Sequence, residues 1–135
     1  MKTIKHTIVA LLVANILISC SKDDNTDHTV QRFDRNITFK VVGQYSGSLK
    51  AIYANPTDEY GVTPSEVLNS TPWLKSLEYN PQVALTGLAL VGQNGHPNEI
   101  VQLQVFSNDE LIESEFGIAD DQGKLYAETS VIYFK

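Results

Sequence analysis

Residues 99–116 read EIVQLQVFSNDELIESEF. Val101, Leu103 and Val105 alternate with Gln102 and Gln104. That period of two puts one face of a strand against a core and the other in water. SNDE, residues 107–110, supplies turn formers, and the chain returns as LIESEF. Strand, turn, strand in so short a span sets the expectation for the rest of the chain.

Working outward, the same period recurs. ITFKVVG sets Ile37, Phe39 and Val41 against Thr38 and Lys40. SLKAIYA sets Leu49, Ala51 and Tyr53 against Ser48 and Lys50, with Ile52 on the second face. A turn around Ser46-Gly47 joins these two runs, which read as a hairpin. NPTDEYG, residues 55–61, is a loop of turn formers. Thr63-Pro64-Ser65-Glu66 has the order of a capping-box helix start. Pro72 and Pro81 leave room for only two turns of helix, so strands near 66–70 and 73–79 are the preferred reading of this segment. QVALTGLALVG is long and mostly apolar, as expected of a central strand covered on both faces. DDQG, residues 120–123, turns the chain into KLYAETSVIYF. The expectation is all-β: an Ig-like or transthyretin-like antiparallel β-sandwich of about seven strands over residues 36–135, with no internal repeat.

The beginning of the chain reads differently. Lys2 and Lys5 precede the short apolar run TIVALLVANILI, residues 7–18, which Asn15 interrupts. A transmembrane helix needs about 20 apolar residues. The pattern is that of a secretory signal over residues 1–19. It ends LISC, Leu17-Ile18-Ser19-Cys20, and holds the only cysteine of the chain, so no disulfide forms within it. This ending resembles the bacterial lipobox. The resemblance implies a diacylglyceryl thioether on Cys20 plus an N-acyl group of the palmitate class, and two or more acyl chains anchor firmly. Lys22-Asp23-Asp24 follow, which resembles the acidic export signal of Bacteroidetes-type surface lipoproteins. That resemblance implies the outer leaflet of the outer membrane, the alternatives being periplasm-facing attachment or a plain solvated spacer. Residues 20–35 read as a flexible polar tether.

The formal charge is −6, from 10 basic against 16 acidic residues. Removing residues 1–19 takes Lys2 and Lys5 away and gives −8, from 8 against 16. So acidic a chain repels phosphate backbones, which argues against nucleic-acid binding.

No G-x-S-x-G, P-loop or H-E-x-x-H occurs in the sequence. His28 and His96 have no metal-ligand spacing. The acidic pairs Asp58-Glu59, Asp109-Glu110 and Asp120-Asp121, with Glu113 and Glu115, read as solvated turn charges rather than Ca²⁺ ligands. No catalytic, metal or cofactor residues are assigned, and a non-enzymatic binding module is expected. Trp73, the single tryptophan, reads either as a core ring between sheets or as an exposed recognition platform for a glycan or partner, helped by Tyr60 and Tyr79.

The order of features also resembles the soluble domain of the mycobacterial membrane protein S (MmpS) family. The residues that carry it are Val41-Val42-Gly43 at a strand end, Tyr53 on the next strand, Pro72-Trp73, the long apolar strand and VQLQVFSNDELI. The resemblance covers most of residues 37–134. It implies a β-sandwich outside the inner membrane acting as an accessory to transport. This chain has a lipobox where that family has a transmembrane helix, and it lacks the cysteine pair of some relatives. Three functions follow as expectations: a partner-binding envelope lipoprotein, a small glycan- or nutrient-binding surface lipoprotein, or an inhibitor or structural envelope protein.

Overall fold

The computed structural model describes residues 29–135. Cys20, Lys22, Asp23 and Asp24, with the expected signal segment and most of the tether, lie outside the described residues. The described residues form eleven strands and no helix. In chain order they are β1 Arg32–Phe33, β2 Asn36–Gly43, β3 Ser48–Tyr53, β4 Ser65–Leu68, β5 Trp73–Glu78, β6 Leu85–Thr86, β7 Leu88–Gln93, β8 Ile100–Ser107, β9 Glu110–Ile118, β10 Leu125–Glu128 and β11 Ile132–Phe134.

Two four-stranded antiparallel sheets, β5-β2-β8-β9 and β10-β7-β3-β4, make the sandwich. A small sheet, β1-β11-β6, accompanies them. The all-β sandwich expectation holds. The inner faces follow the period of two read from the sequence. Ile37, Phe39, Val41, Val101, Leu103 and Val105 come from one sheet, and Leu49, Ala51, Tyr53, Leu88, Leu90 and Leu125 from the other. The rings of Phe39 and Tyr53 lie 5.7 Å apart across the core. Each aliphatic side chain so buried contributes about 1.5–3 kcal/mol relative to exposure.

Eleven strands replace the expected seven or so, and particular residues account for the difference. β1 begins at Arg32, inside the stretch read as tether, and pairs in parallel with β11. Arg35 anchors this entry: Nη1 donates to the carbonyls of Asn80 and Val83, and the guanidinium sits 5.1 Å over the Phe134 ring. The folded unit therefore starts before Asn36. The run QVALTGLALVG is two strands: β6 pairs with β11, and β7 pairs with β3 and β10, with Gly87 between. Thr129 bridges the break, its hydroxyl accepting from Leu88 N at 3.0 Å. Only one face of β7 is buried, because Ala89 and Val91 on its other face are half-covered.

The expected β2–β3 hairpin does not form. β2 pairs with β5 and β8, and β3 pairs with β4 and β7. Both strands are amphipathic toward the same core, and residues 44–47 carry the chain from one sheet to the other rather than around a tight turn. The turn at residues 107–110 is a true hairpin: Asn108 and Asp109 have φ of 47° and 68°, as a two-residue type I′ connection requires. At 63–70 the strand reading holds. Ser65 to Leu68 zip onto β3, and the Pro64 carbonyl accepts from Tyr53 N.

Candidate functional site

Trp73 sits at the start of β5, opposite Val41 of β2. β5 is an edge strand of its sheet and β4 an edge strand of the other. Side chains on the inward faces of these two edges meet. Glu66 of β4 lies opposite Ala51, and Lys75 of β5 lies opposite Phe39. Glu66 Oε2 is 3.1 Å from Lys75 Nζ and accepts from the Tyr53 hydroxyl at 3.3 Å. Glu66 Oε1 accepts from Trp73 Nε1 at 3.3 Å. The hydrogen bond from Lys75 holds the Glu66 carboxyl below the usual carboxylate range, and the same bond raises Lys75. Burial pushes the Tyr53 phenol up.

Trp73 is thus half-buried, packed on the core with its indole N–H tied to a carboxylate. Its ring lies at the seam between the two sheets and is not a free platform, though it is half-buried rather than enclosed. Tyr79 is no recognition residue. It is 1% exposed, its hydroxyl donates to Ala54 O at 3.1 Å and accepts from Thr86 at 2.8 Å, and its ring lies 5.0 Å from Phe134. Burial pushes its phenol up to about 12. Its place after the strand β5 carries it under the sandwich, where an apolar ring with one satisfied hydroxyl is stable. Tyr60 is 93% exposed on the 55–63 loop, where Asp58 accepts from its backbone N–H. The structure brings these three aromatics into no common site.

Two surfaces that sequence reasoning did not single out are more informative. On the outer face of the β5-β2-β8-β9 sheet, Ile100 is opposite Ile118 and Gln102 is opposite Phe116. Phe116 and Ile118 are 62% and 58% exposed, and Ile100 is 50% exposed. This apolar cluster lies at the β9 edge of the sheet. The sequence alone gives Phe116 and Ile118 the period of a core face, and only the register of β9 on β8 turns them outward and Gly117 inward. On the outer face of the other sheet, a hollow of about 500 Å³ is lined by residues of β3, β4 and β7.

The acidic pairs serve the backbone. Asp120 Oδ1 accepts from the Gln122 and Lys124 N–H groups, and Asp109 sits in the type I′ turn. Glu99 Oε2 takes three bonds, from Ser46 N, Ser46 Oγ and His96 N, and the two backbone donors hold its carboxyl low. That knot ties the 44–47 crossing to the β7–β8 loop. Glu113 and Glu115 take core-side positions opposite Val105 and Leu103, next to the register shift at Ile112. Inward charges beside a bulge guard an edge strand against pairing with another chain. Among the described residues no group of three His, Cys, Asp or Glu side chains is placed to hold a metal ion. No family model, no curated protein and no solved structure matches this chain.

Proposed function

We propose that this chain is a lipid-anchored binding module of a bacterial cell envelope, tethered through Cys20 and presenting its sandwich to a protein partner, in the manner of an MmpS-like accessory to an envelope transport complex. The observation that carries the reading is the exposed apolar cluster of Ile100, Phe116 and Ile118. Clustered apolar side chains on a sheet face mark protein contact more often than scattered ones do. The LISC ending and the charge pattern of Lys22, Asp23 and Asp24 support the anchor and a cell-surface location on the outer membrane.

Crosslinked pulldown from native membranes tests it. The wild-type chain should capture an envelope protein that Phe116→Glu loses while its melting temperature stays unchanged. Equal capture by both forms overturns the assigned surface. Cys20→Ala should release the protein from membranes or leave an uncleaved signal. An unmodified cysteine on a mature chain sinks the anchor. Replacing Lys22, Asp23 and Asp24 by Ala should abolish protease accessibility on intact cells, and unchanged accessibility removes their export role.

A second reading, a small nutrient-binding surface lipoprotein, is favoured by the hollow on the opposite sheet.

A further inference from the structure

The outer face of the β10-β7-β3-β4 sheet carries two adjoining hollows. The first, about 500 Å³, is lined by Ser48, Lys50, Ile52, Val67, Val91 and Gln93. The second, about 260 Å³, starts at the same Ile52 and runs past Ala54 and Ala89 to Leu85 and Val131. Strand register sets the chemistry of the first. Lys50 stands between Val91 and Val67, and Ser48 stands beside Gln93. The lining of the second is mostly small and aliphatic, with Gly87 and Ala89 beside Leu85 and Val131, and its polar members are Thr86, Thr129 and Glu128, which stands opposite Ala89. The run from Lys50 to Ala54 is about 13 Å at the rise of a strand.

Lys75 and Lys135 are paired with Glu66 and Asp34. The side chain of Lys50, like those of Lys40 and Lys124, has no ion pair or hydrogen bond among the described residues, in a chain whose formal charge is −6. A cation between two valines, with an amide and a hydroxyl to one side and a largely apolar trough to the other, is complementary to an amphiphilic anion. No aromatic ring lines either hollow; Tyr126 stands outward beside Val91, its hydroxyl donating to Glu128. Small-molecule sites are apolar cavities with a few placed polar groups, and the first hollow is within their usual size range.

We propose that this groove binds a single acyl chain bearing an anionic head group, with the head at Lys50, Ser48 and Gln93 and the chain running over Ile52 toward Ala89 and Val131. The proposal deepens the nutrient-binding reading and is independent of partner docking at Phe116, which lies on the other sheet.

The test uses the full lipidated chain in its native membranes and a dodecanoate probe with a photoreactive diazirine near the chain end. Labelling should saturate and map to peptides carrying Ile52, Ala89 or Val131. Dodecanoate should compete at least tenfold better than dodecanol. Lys50→Gln should cut the yield at least fivefold and erase the preference for acid over alcohol. Ala89→Phe, which fills the second hollow from an outward-facing position, should cut the yield with the melting temperature unchanged. A photoreactive phosphatidylglycerol in parallel separates the sources: labelling by the free acid alone assigns a soluble acyl anion, and labelling by the phospholipid assigns a chain drawn from the bilayer. Unsaturable labelling spread over the whole surface, or an acid preference that survives Lys50→Gln, overturns the proposal. Neither result touches the pulldown on Phe116, so the two readings fail separately.

Discussion

Glu66 on β4 and Lys75 on β5 meet at 3.1 Å although no hydrogen-bonded strand joins their two sheets. Both occupy core-side positions on edge strands, where an unpaired charge would be costly. Together with the Trp73 indole and the Tyr53 hydroxyl they close one side of the sandwich. The pair also leaves inward-pointing charge on two edges, a device that discourages pairing with another chain. About a third of each side chain stays in water, so the ion pair is screened and its contribution is modest.

The sign of its pH dependence follows from the shifts. The Glu66 carboxyl is lowered from its ordinary 4.5, so its contribution is fully present above that value. It is lost as pH falls through the depressed folded value. Lys75 is raised from 10.5, so its contribution is present below that value and is lost as pH rises through the raised one. The melting temperature of wild type should therefore drop in acid more steeply than that of Glu66→Gln. Parallel acid profiles for the two proteins would count against the pairing.

Trp73 is half-buried, and its truncation should cost less than that of an enclosed ring. A fully buried tryptophan typically costs about 3–5 kcal/mol on change to alanine, so about 2–3 kcal/mol is expected here. That is a fall of roughly 10–15 °C in melting temperature for a domain of this size. Trp73→Phe loses the bond to Glu66 and part of the ring's contact with the core, so it should fall by a few degrees, less than Trp73→Ala. Since Trp73 is the single tryptophan, acrylamide should quench its emission partially. Complete quenching, with no stability loss in Trp73→Ala, would show the ring to be free.

Tyr79 should behave as a core residue with one indispensable oxygen. Tyr79→Phe leaves the ring in place but strands the Thr86 hydroxyl, which is buried. Leaving a buried polar group without a partner costs about 1–3 kcal/mol. The double change of Tyr79→Phe with Thr86→Val removes both polar atoms and should recover much of the loss. In a spectrophotometric titration one tyrosine should ionise only near pH 12 in the folded protein. Tyr79→Phe should remove that late step.

The period of two made the core legible. Ile37, Phe39, Val41, Leu49, Ala51 and Tyr53 are buried where alternation placed them. Which strands pair was not legible at β2 and β3, because alternation reports only that a face is buried and not which sheet buries it. A turn around Ser46-Gly47 suits a hairpin and a sheet-to-sheet crossing equally well. The break at Gly87 was hidden because an apolar run looks the same whether one strand or two carry it. The Glu66 knot was hidden for a different reason: Thr63-Pro64-Ser65-Glu66 carries helix-start chemistry, and only the pairing of β4 with β3 turns that glutamate toward Lys75. The outer groove was unreadable because its two hollows join residues from strands far apart in the chain.

Gly123 and Gly87 should respond oppositely to a methyl group. Gly123 has φ of +71°, and its N–H and carbonyl lie in a knot of loops: the carbonyl accepts from Gly95 N at 2.9 Å and from the Tyr45 hydroxyl at 2.6 Å. A Cβ there would collide with the Gly95 carbonyl, a backbone atom that has no rotamer to move into. The left-handed φ adds about 1–2 kcal/mol for any L-residue. Gly87 stands at the break between β6 and β7, and a Cβ there would meet only Thr129 Oγ1 and Ser130 O, at 3.6 and 3.7 Å. Both are ordinary contacts. An alanine at a compatible site stabilises by about 0.4–1 kcal/mol, because it restricts the unfolded chain. Gly123→Ala should therefore lose about 3 kcal/mol or more, with exchange protection collapsing around Tyr45 and Gly95 first. Gly87→Ala should melt at or slightly above the wild-type temperature. Equal losses in both variants would mean that the loop knot does not have the close backbone approach at Gly95 on which the contrast rests.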